Sequence, residues 1–144
     1  MKWFERSQDA KTWPDMFDRF IFLWIAFDAW ASNESGMTTH RMINWVKTSK
    51  MKNIFKEIRG SIEAHLSNLS ALGDIPNHVS GESVRLRDPH DFSQLLDVVY
   101  VIRNNLFHGH KSPDDQRDEE LVTVAYDILS PLLRPFAEGL RINN

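Results

Sequence analysis

The stretch Tyr100-Val101-Ile102-Arg103-Asn104-Asn105-Leu106-Phe107-His108-Gly109-His110-Lys111 sets an arginine, a carboxamide and a histidine at the end of an otherwise apolar run. An unperturbed histidine titrates near pH 6.5, which suits proton transfer at neutral pH, and an arginine offers a planar fork that stays charged. The residue types therefore suit acid–base chemistry beside the stabilisation of a developing negative charge. At about 100° per residue Arg103 falls at the edge of the apolar stripe, while Asn104 and His108, four apart, share a neighbouring face. Arg103 and His108 themselves point about 140° apart on a regular helix. One complete site then needs either a helix that loosens at Gly109 or two copies that each supply half.

A buried guanidinium is expensive unless it is paired or faces an anion, so Arg103 needs a carboxylate or a ligand. Asp28, alone inside the apolar segment Phe20 to Trp30, is the expected partner, and the pair would pack the first helix against the fourth. A plain ion pair with Asp28 is the alternative to a catalytic Arg103, and a solvent-facing residue near a helix C-terminus is the alternative for His108. His108 and His110, with Asp114 and Asp115 nearby, could instead ligate a metal, but a two-residue spacing in a loop lacks a convincing third ligand. His110 and Lys111 are expected to border the site and meet phosphate. His40, His65, His78 and His90 are isolated and read as surface or cap residues.

These residues need a helical frame. Glycines are few, Asn-Gly and Asp-Gly turns are absent, and apolar residues recur at helical spacing through most of the chain, so the fold class is all-α. A first long helix is expected after Thr12-Trp13-Pro14-Asp15, running to about Ser32 and ended by Asn33-Glu34-Ser35-Gly36. Its stripe is Phe17, Phe20, Ile21, Trp24, Phe27 and Ala31, and Phe22, Leu23, Ile25 and Trp30 make it apolar nearly all round, as befits a central helix or one shared with a partner subunit. A second helix spans Thr39 to Lys50 and a third runs from Met51 or Asn53 to Leu72. The segment from Asp74 to His90 is the longest loop and a natural place for substrate choice, and Asp88-Pro89-His90-Asp91 supplies the cap for the next helix. This fourth helix runs from Asp91 to about His108, with Gly109 as its C-terminal cap. A last one covers Asp118 to Gly139, kinked or broken near Pro131 and Pro135. The whole is a four- or five-helix bundle occupying residues 1–144 as a single domain.

Composition narrows the possibilities further. A chain of 144 residues with 42% hydrophobic side chains can bury an ordinary core. The absence of cysteine excludes a disulfide scaffold, a thiol nucleophile and cysteine-ligated metal sites, and fits a cytoplasmic location. The N-terminus turns polar before any apolar run of signal-peptide length develops. The most apolar stretch, Phe20 to Trp30, is far short of the roughly 20 residues that a membrane span needs. A net charge of −3 gives no global pull toward nucleic acid, so any RNA surface must be a local basic patch. Arg85, Arg87, Lys47, Lys50, Lys52 and Lys56 are candidates for such a track, each also readable as part of an ordinary solvated face. Trp24, Trp30 and Trp45, at helical spacing among apolar neighbours, read as core or dimer interface rather than as base-stacking platforms.

Arg103-Asn104-Asn105-Leu106-Phe107-His108 resembles the R-x4-6-H motif of HEPN domains, in which the residue after the arginine is typically a polar Asn, Asp or His. Gly109 and the tryptophan-bearing first helix also look like this family, and the motif's place in the penultimate helix extends the likeness over most of the chain. The resemblance implies a metal-independent endoribonuclease without a cofactor, in which a ribose 2'-hydroxyl attacks the adjacent phosphate to leave a cyclic phosphate and a 5'-hydroxyl. It implies a homodimer with a composite site. His108 would be the general acid or base, Arg103 would stabilise the phosphorane, and Asn104 would orient the histidine or a phosphate oxygen. The family context further implies a toxin–antitoxin or phage-defence role, with a restraining partner such as a small nucleotidyltransferase. Two other readings stand beside it: a non-catalytic HEPN module that binds RNA, nucleotide or a protein, and an unrelated helical scaffold in which Arg103 and Asp28 form only a buried pair.

Overall fold

The computed structural model describes residues 4–5, 7, 16–107 and 116–142, with the side chains at 39–40 and 138–142 left out. The apolar periodicity resolves into helices α1 (Met16–Ser35), α2 (Thr39–Val46), α3 (Lys50–Ile58), α4 (Glu63–Ala71), α5 (Phe92–Phe107) and α6 (Gln116–Ile142). Between α4 and α5 a minimal antiparallel hairpin pairs β1 (Ile75–Pro76) with β2 (Ser83–Val84). The described chain is thus mainly helical, and among the described residues no helix is long and apolar enough to cross a membrane.

Helix α6 is the centre of the packing: it meets α1, α3, α4 and α5, and α1 most of all. Phe20, Leu23, Trp24, Phe27 and Ala31 are buried along α1, and α6 contributes Leu121, Ala125, Leu129, Leu132 and Leu133 to the same core. Trp30 lies with its ring centroid 4.4 Å from Phe136 and 5.7 Å from Trp45, so this end of α1 is closed by aromatic contacts from α6 and α2. Trp24 and Trp30 are core residues, and Trp45 is half-buried against them. Gly36 ends α1 with a φ of 69°, a left-handed conformation that glycine adopts without steric cost.

Three expectations about the elements are corrected. The second and third helices are separated at Thr48-Ser49, where the Ser49 hydroxyl donates to the Val46 carbonyl at 2.7 Å and accepts from the Met51 amide at 3.2 Å, ending one helix and capping the next. The expected long third helix is two. It breaks at Gly60-Ser61, where both the Ser61 amide and its hydroxyl turn back onto the Ile58 carbonyl, at 2.8 and 2.7 Å. Of the kink or break expected at its prolines, the last helix shows no break: Pro131 and Pro135 lie inside α6. They are four apart on its outward side, Pro131 half-buried and Pro135 exposed, while Leu129, Leu132 and Leu133 hold the inward side. The carbonyls that lose an amide partner therefore lie toward water, and packing outweighs the break.

Candidate functional site

Helix α5 carries the candidate residues Arg103 and Asn104, and its two sides differ. Leu95, Leu96, Val98, Val99 and Ile102 are buried, and the side facing out bears Ser93, Asp97, Tyr100 and Phe107 at intervals of three, four or seven residues. Asp91 starts the helix as expected, its carboxylate accepting from the Gln94 amide at 3.0 Å. Arg103 sits half-buried at the boundary between the two sides, one turn from the end.

The guanidinium of Arg103 does not meet Asp28. Its Nη1 donates to the Asn104 Oδ1 at 2.9 Å, and the Asp28 carboxylate accepts instead from the Ser32 hydroxyl one turn along α1, at 3.2 Å. Around the cation stand three rings: its Cζ lies 4.4 Å from the centroid of Phe107, 5.7 Å from Trp24 and 5.9 Å from Tyr100. Aromatic faces attract a cation without neutralising it, so the net positive charge stays available to an anion. Helices α1 and α5 approach each other through the rings of Trp24 and Tyr100, whose centroids are 6.2 Å apart, and not through the expected ion pair. Two donors near this cage, the Arg103 Nε and the Trp24 Nε1, are buried and find no acceptor.

Asn104 is 7% exposed and holds the guanidinium. Its carboxamide oxygen is thereby turned toward Arg103, not toward the end of the helix. Asn105, fully buried, has a role that the motif does not suggest. Its Nδ2 donates to the Pro76 carbonyl at 2.7 Å and its Oδ1 accepts from the His78 amide at 2.9 Å, which fastens the β1–β2 hairpin to the residue beside Asn104. The expected long loop is therefore a structured flank of the site. Ile75 and Leu86 root it in the core, an Asx turn at Asn77 and a positive φ at Gly81 shape its tip, and Val79 stands 55% exposed there.

His108, His110 and Lys111 lie outside the described residues, as do Gly109 and the Asp114 and Asp115 of the metal alternative. The described structure holds the chain on both sides of that stretch. Phe107 ends α5, and Arg117 in the first turn of α6 donates through Nη2 to the Leu72 and Asp74 carbonyls at 3.0 and 2.6 Å, pinning the return of the chain beside the hairpin. Among the described residues no three histidine, aspartate or glutamate side chains gather as metal ligands would. His65 lies 3.9 Å from Asp127, His90 lies 3.0 Å from Glu63, and His78 is exposed on the hairpin.

The class defined by these features is a helical protein with an aromatic-caged arginine at the end of its penultimate helix and a hairpin tied alongside. No protein-family model matches the chain, and neither a curated protein nor a solved structure does.

Proposed function

We propose that the chain is an HEPN-type endoribonuclease that works without a metal ion, as a homodimer. The observation that carries this reading is the state of Arg103: a half-buried cation, oriented by Asn104 and rings, with no carboxylate beside it among the described residues, on the last described turn before His108 in the sequence. A structural ion pair would have given Arg103 the partner that it lacks. An incoming phosphate supplies a counter-charge to the half-buried guanidinium.

In this reaction the 2'-oxygen of a ribose bonds to the adjacent phosphorus and the bond to the 5'-oxygen breaks, leaving a cyclic phosphate and a 5'-hydroxyl. His108 moves the proton off the 2'-hydroxyl or onto the leaving oxygen, and Arg103 stabilises the negative oxygens of the phosphorane. Asn104 positions Arg103, and His110 and Lys111 border the bound phosphates. On a regular helix, positions 103 and 108 would point about 140° apart, so the partner subunit's His108 completes the site. The exposed Phe107 ring beside the guanidinium is the apolar surface that a second copy would cover. A cytoplasmic toxin or defence effector restrained by a small nucleotidyltransferase is the setting this chemistry fits.

The test is cleavage of structured and unstructured RNA in excess EDTA, beside Arg103→Ala and His108→Ala, with the mass in solution recorded. Cyclic-phosphate ends that both variants lose, made by a dimer, are the expected result. A well-folded dimer that binds RNA and leaves it intact would move the chain to the non-catalytic HEPN modules.

A further inference from the structure

A cavity of about 360 Å³ opens at the far end of α5 from Arg103, between α3 and the 88–93 segment. Lys52, Lys56 and Arg59 line it, exposed, at the four- and three-residue spacing that puts them on one side of α3. None of the three meets a carboxylate among the described residues. The other basic side chains at the cavity are engaged: Lys47 lies 2.7 Å from Asp97, and His90 lies 3.0 Å from Glu63. Its two carboxylates face backbone, Asp88 accepting from the His90 amide at 2.9 Å and Asp91 from the Gln94 amide. Like charges four apart on a helix repel each other, so this row destabilises α3 slightly unless an anion bridges it.

The outward side of α5 joins this cavity to Arg103. Ser93 stands at the cavity, Phe107 stands at the guanidinium, and between them lie Asp97, whose charge Lys47 meets at 2.7 Å, and Tyr100, with its ring against Trp24 and Arg103. From Phe92 to Arg103 is 103 − 92 = 11 residues, a rise of about 16 Å at 1.5 Å per residue. That is within reach of one short single strand, with Tyr100 as an aromatic surface on its path.

We propose that this groove receives phosphates of single-stranded RNA away from the cleavage position, so that the strand runs along α5 from Lys52, Lys56 and Arg59 to Arg103. The proposal rests on the ribonuclease reading for the identity of the polyanion. It assigns Lys52, Lys56 and Arg59 to binding and gives them no part in the chemical step.

The experiment measures binding of the full chain to labelled 2'-O-methyl RNA of about ten nucleotides, which has no 2'-hydroxyl to attack. The variant is Lys52→Gln/Lys56→Gln/Arg59→Gln, with Lys52→Gln/Lys56→Gln in reserve should the triple lose its circular dichroism spectrum. The triple is expected to bind about tenfold or more weakly at 0.1 M salt, and its slope of log K against log salt to be shallower by about 2, or 0.7 for each of three contacts. Cleavage of a dinucleotide, too short to reach the groove, is expected to stay unchanged. Unchanged affinity and slope for the long strand would overturn the proposal, and so would a parent chain that binds no RNA. Equal groove-dependent binding of duplex DNA would overturn the commitment to a single strand. Groove-dependent RNA binding by a chain that cleaves no unmodified RNA would leave the groove standing and remove the ribonuclease reading instead.

Discussion

At the residue scale, Arg103 and Asn105 show how neighbours in sequence take opposite tasks. On the proposed reading Arg103 offers its fork to an anion, so Arg103→Ala should lower RNA cleavage about 10²- to 10³-fold, the loss typical of one charge-stabilising donor. Arg103→Lys should recover little of it, because an ammonium reproduces neither the fork nor the planar stacking on Phe107. Steady-state cleavage rates for the two variants check both statements. Asn105 is purely a fastener. Asn105→Ala leaves the Pro76 carbonyl and the His78 amide without their partner, and should cost about 2–3 kcal/mol in urea unfolding. The sequence displayed Arg103 and Asn104 as polar intruders in an apolar run, and they do meet. It misled at Asp28, because a carboxylate with a serine four residues on has a local partner that competes with any distant one. Asn105 was legible in principle: it falls four after Val101 and three after Ile102, both buried, so a polar side chain there had to have internal partners.

At the scale of elements, apolar spacing located the helices, and the breaks were written in small polar residues. Ile58 and Ile62 continue the stripe straight across Gly60-Ser61, so periodicity alone runs α3 into α4, whereas the local hydrogen bonds of Ser61 divide them. The hairpin was invisible for a different reason: two-residue strands have no alternation to read, and their register depends on Asn105 from a distant helix. Its root and its tip should respond differently to change. Ile75→Ala removes a fully buried side chain and should cost about 2–4 kcal/mol of stability, measured by denaturant unfolding. Exchanging Val79 and Ser80, exposed at the tip, should leave the unfolding midpoint within about 0.5 kcal/mol of the parent while altering which RNA sequences are cut. A tip exchange that unfolds the chain would show that the flank is structural only.

For the whole molecule, a net charge of −3 does not say how charges are sorted onto faces. Lys52, Lys56 and Arg59 gather at one cavity while acidic residues such as Glu119 and Glu120 lie on α6. One carboxylate links the core to pH. Burial raises the pKa of Asp127 from 3.8, with His65 and Arg19 pulling it partly back. A carboxyl whose pKa is raised by folding binds its proton more readily folded than unfolded, so its ionisation above about pH 4 costs stability and its protonation at lower pH removes that cost. Asp127→Asn should therefore be at least as stable as the parent at pH 7, by no more than about 0.5 kcal/mol given that the side chain is 38% exposed to screening water. The difference should close as the pH falls below 3.8. Thermal unfolding at pH 7 and pH 3.5 checks the sign.

The cage around Arg103 is also an optical device. Trp24 is only 2% exposed to water, and its ring faces a charge 5.7 Å away. Indole emission responds to the electric field across the ring, so an anion that lands on the guanidinium must change the colour or brightness of Trp24 even if no atom of it touches the ring. Subtracting the spectrum of Trp24→Phe isolates that signal from those of Trp3, Trp13, Trp30 and Trp45. The protein thus carries its own reporter of an occupied site, one that registers arrival separately from any bond being cut.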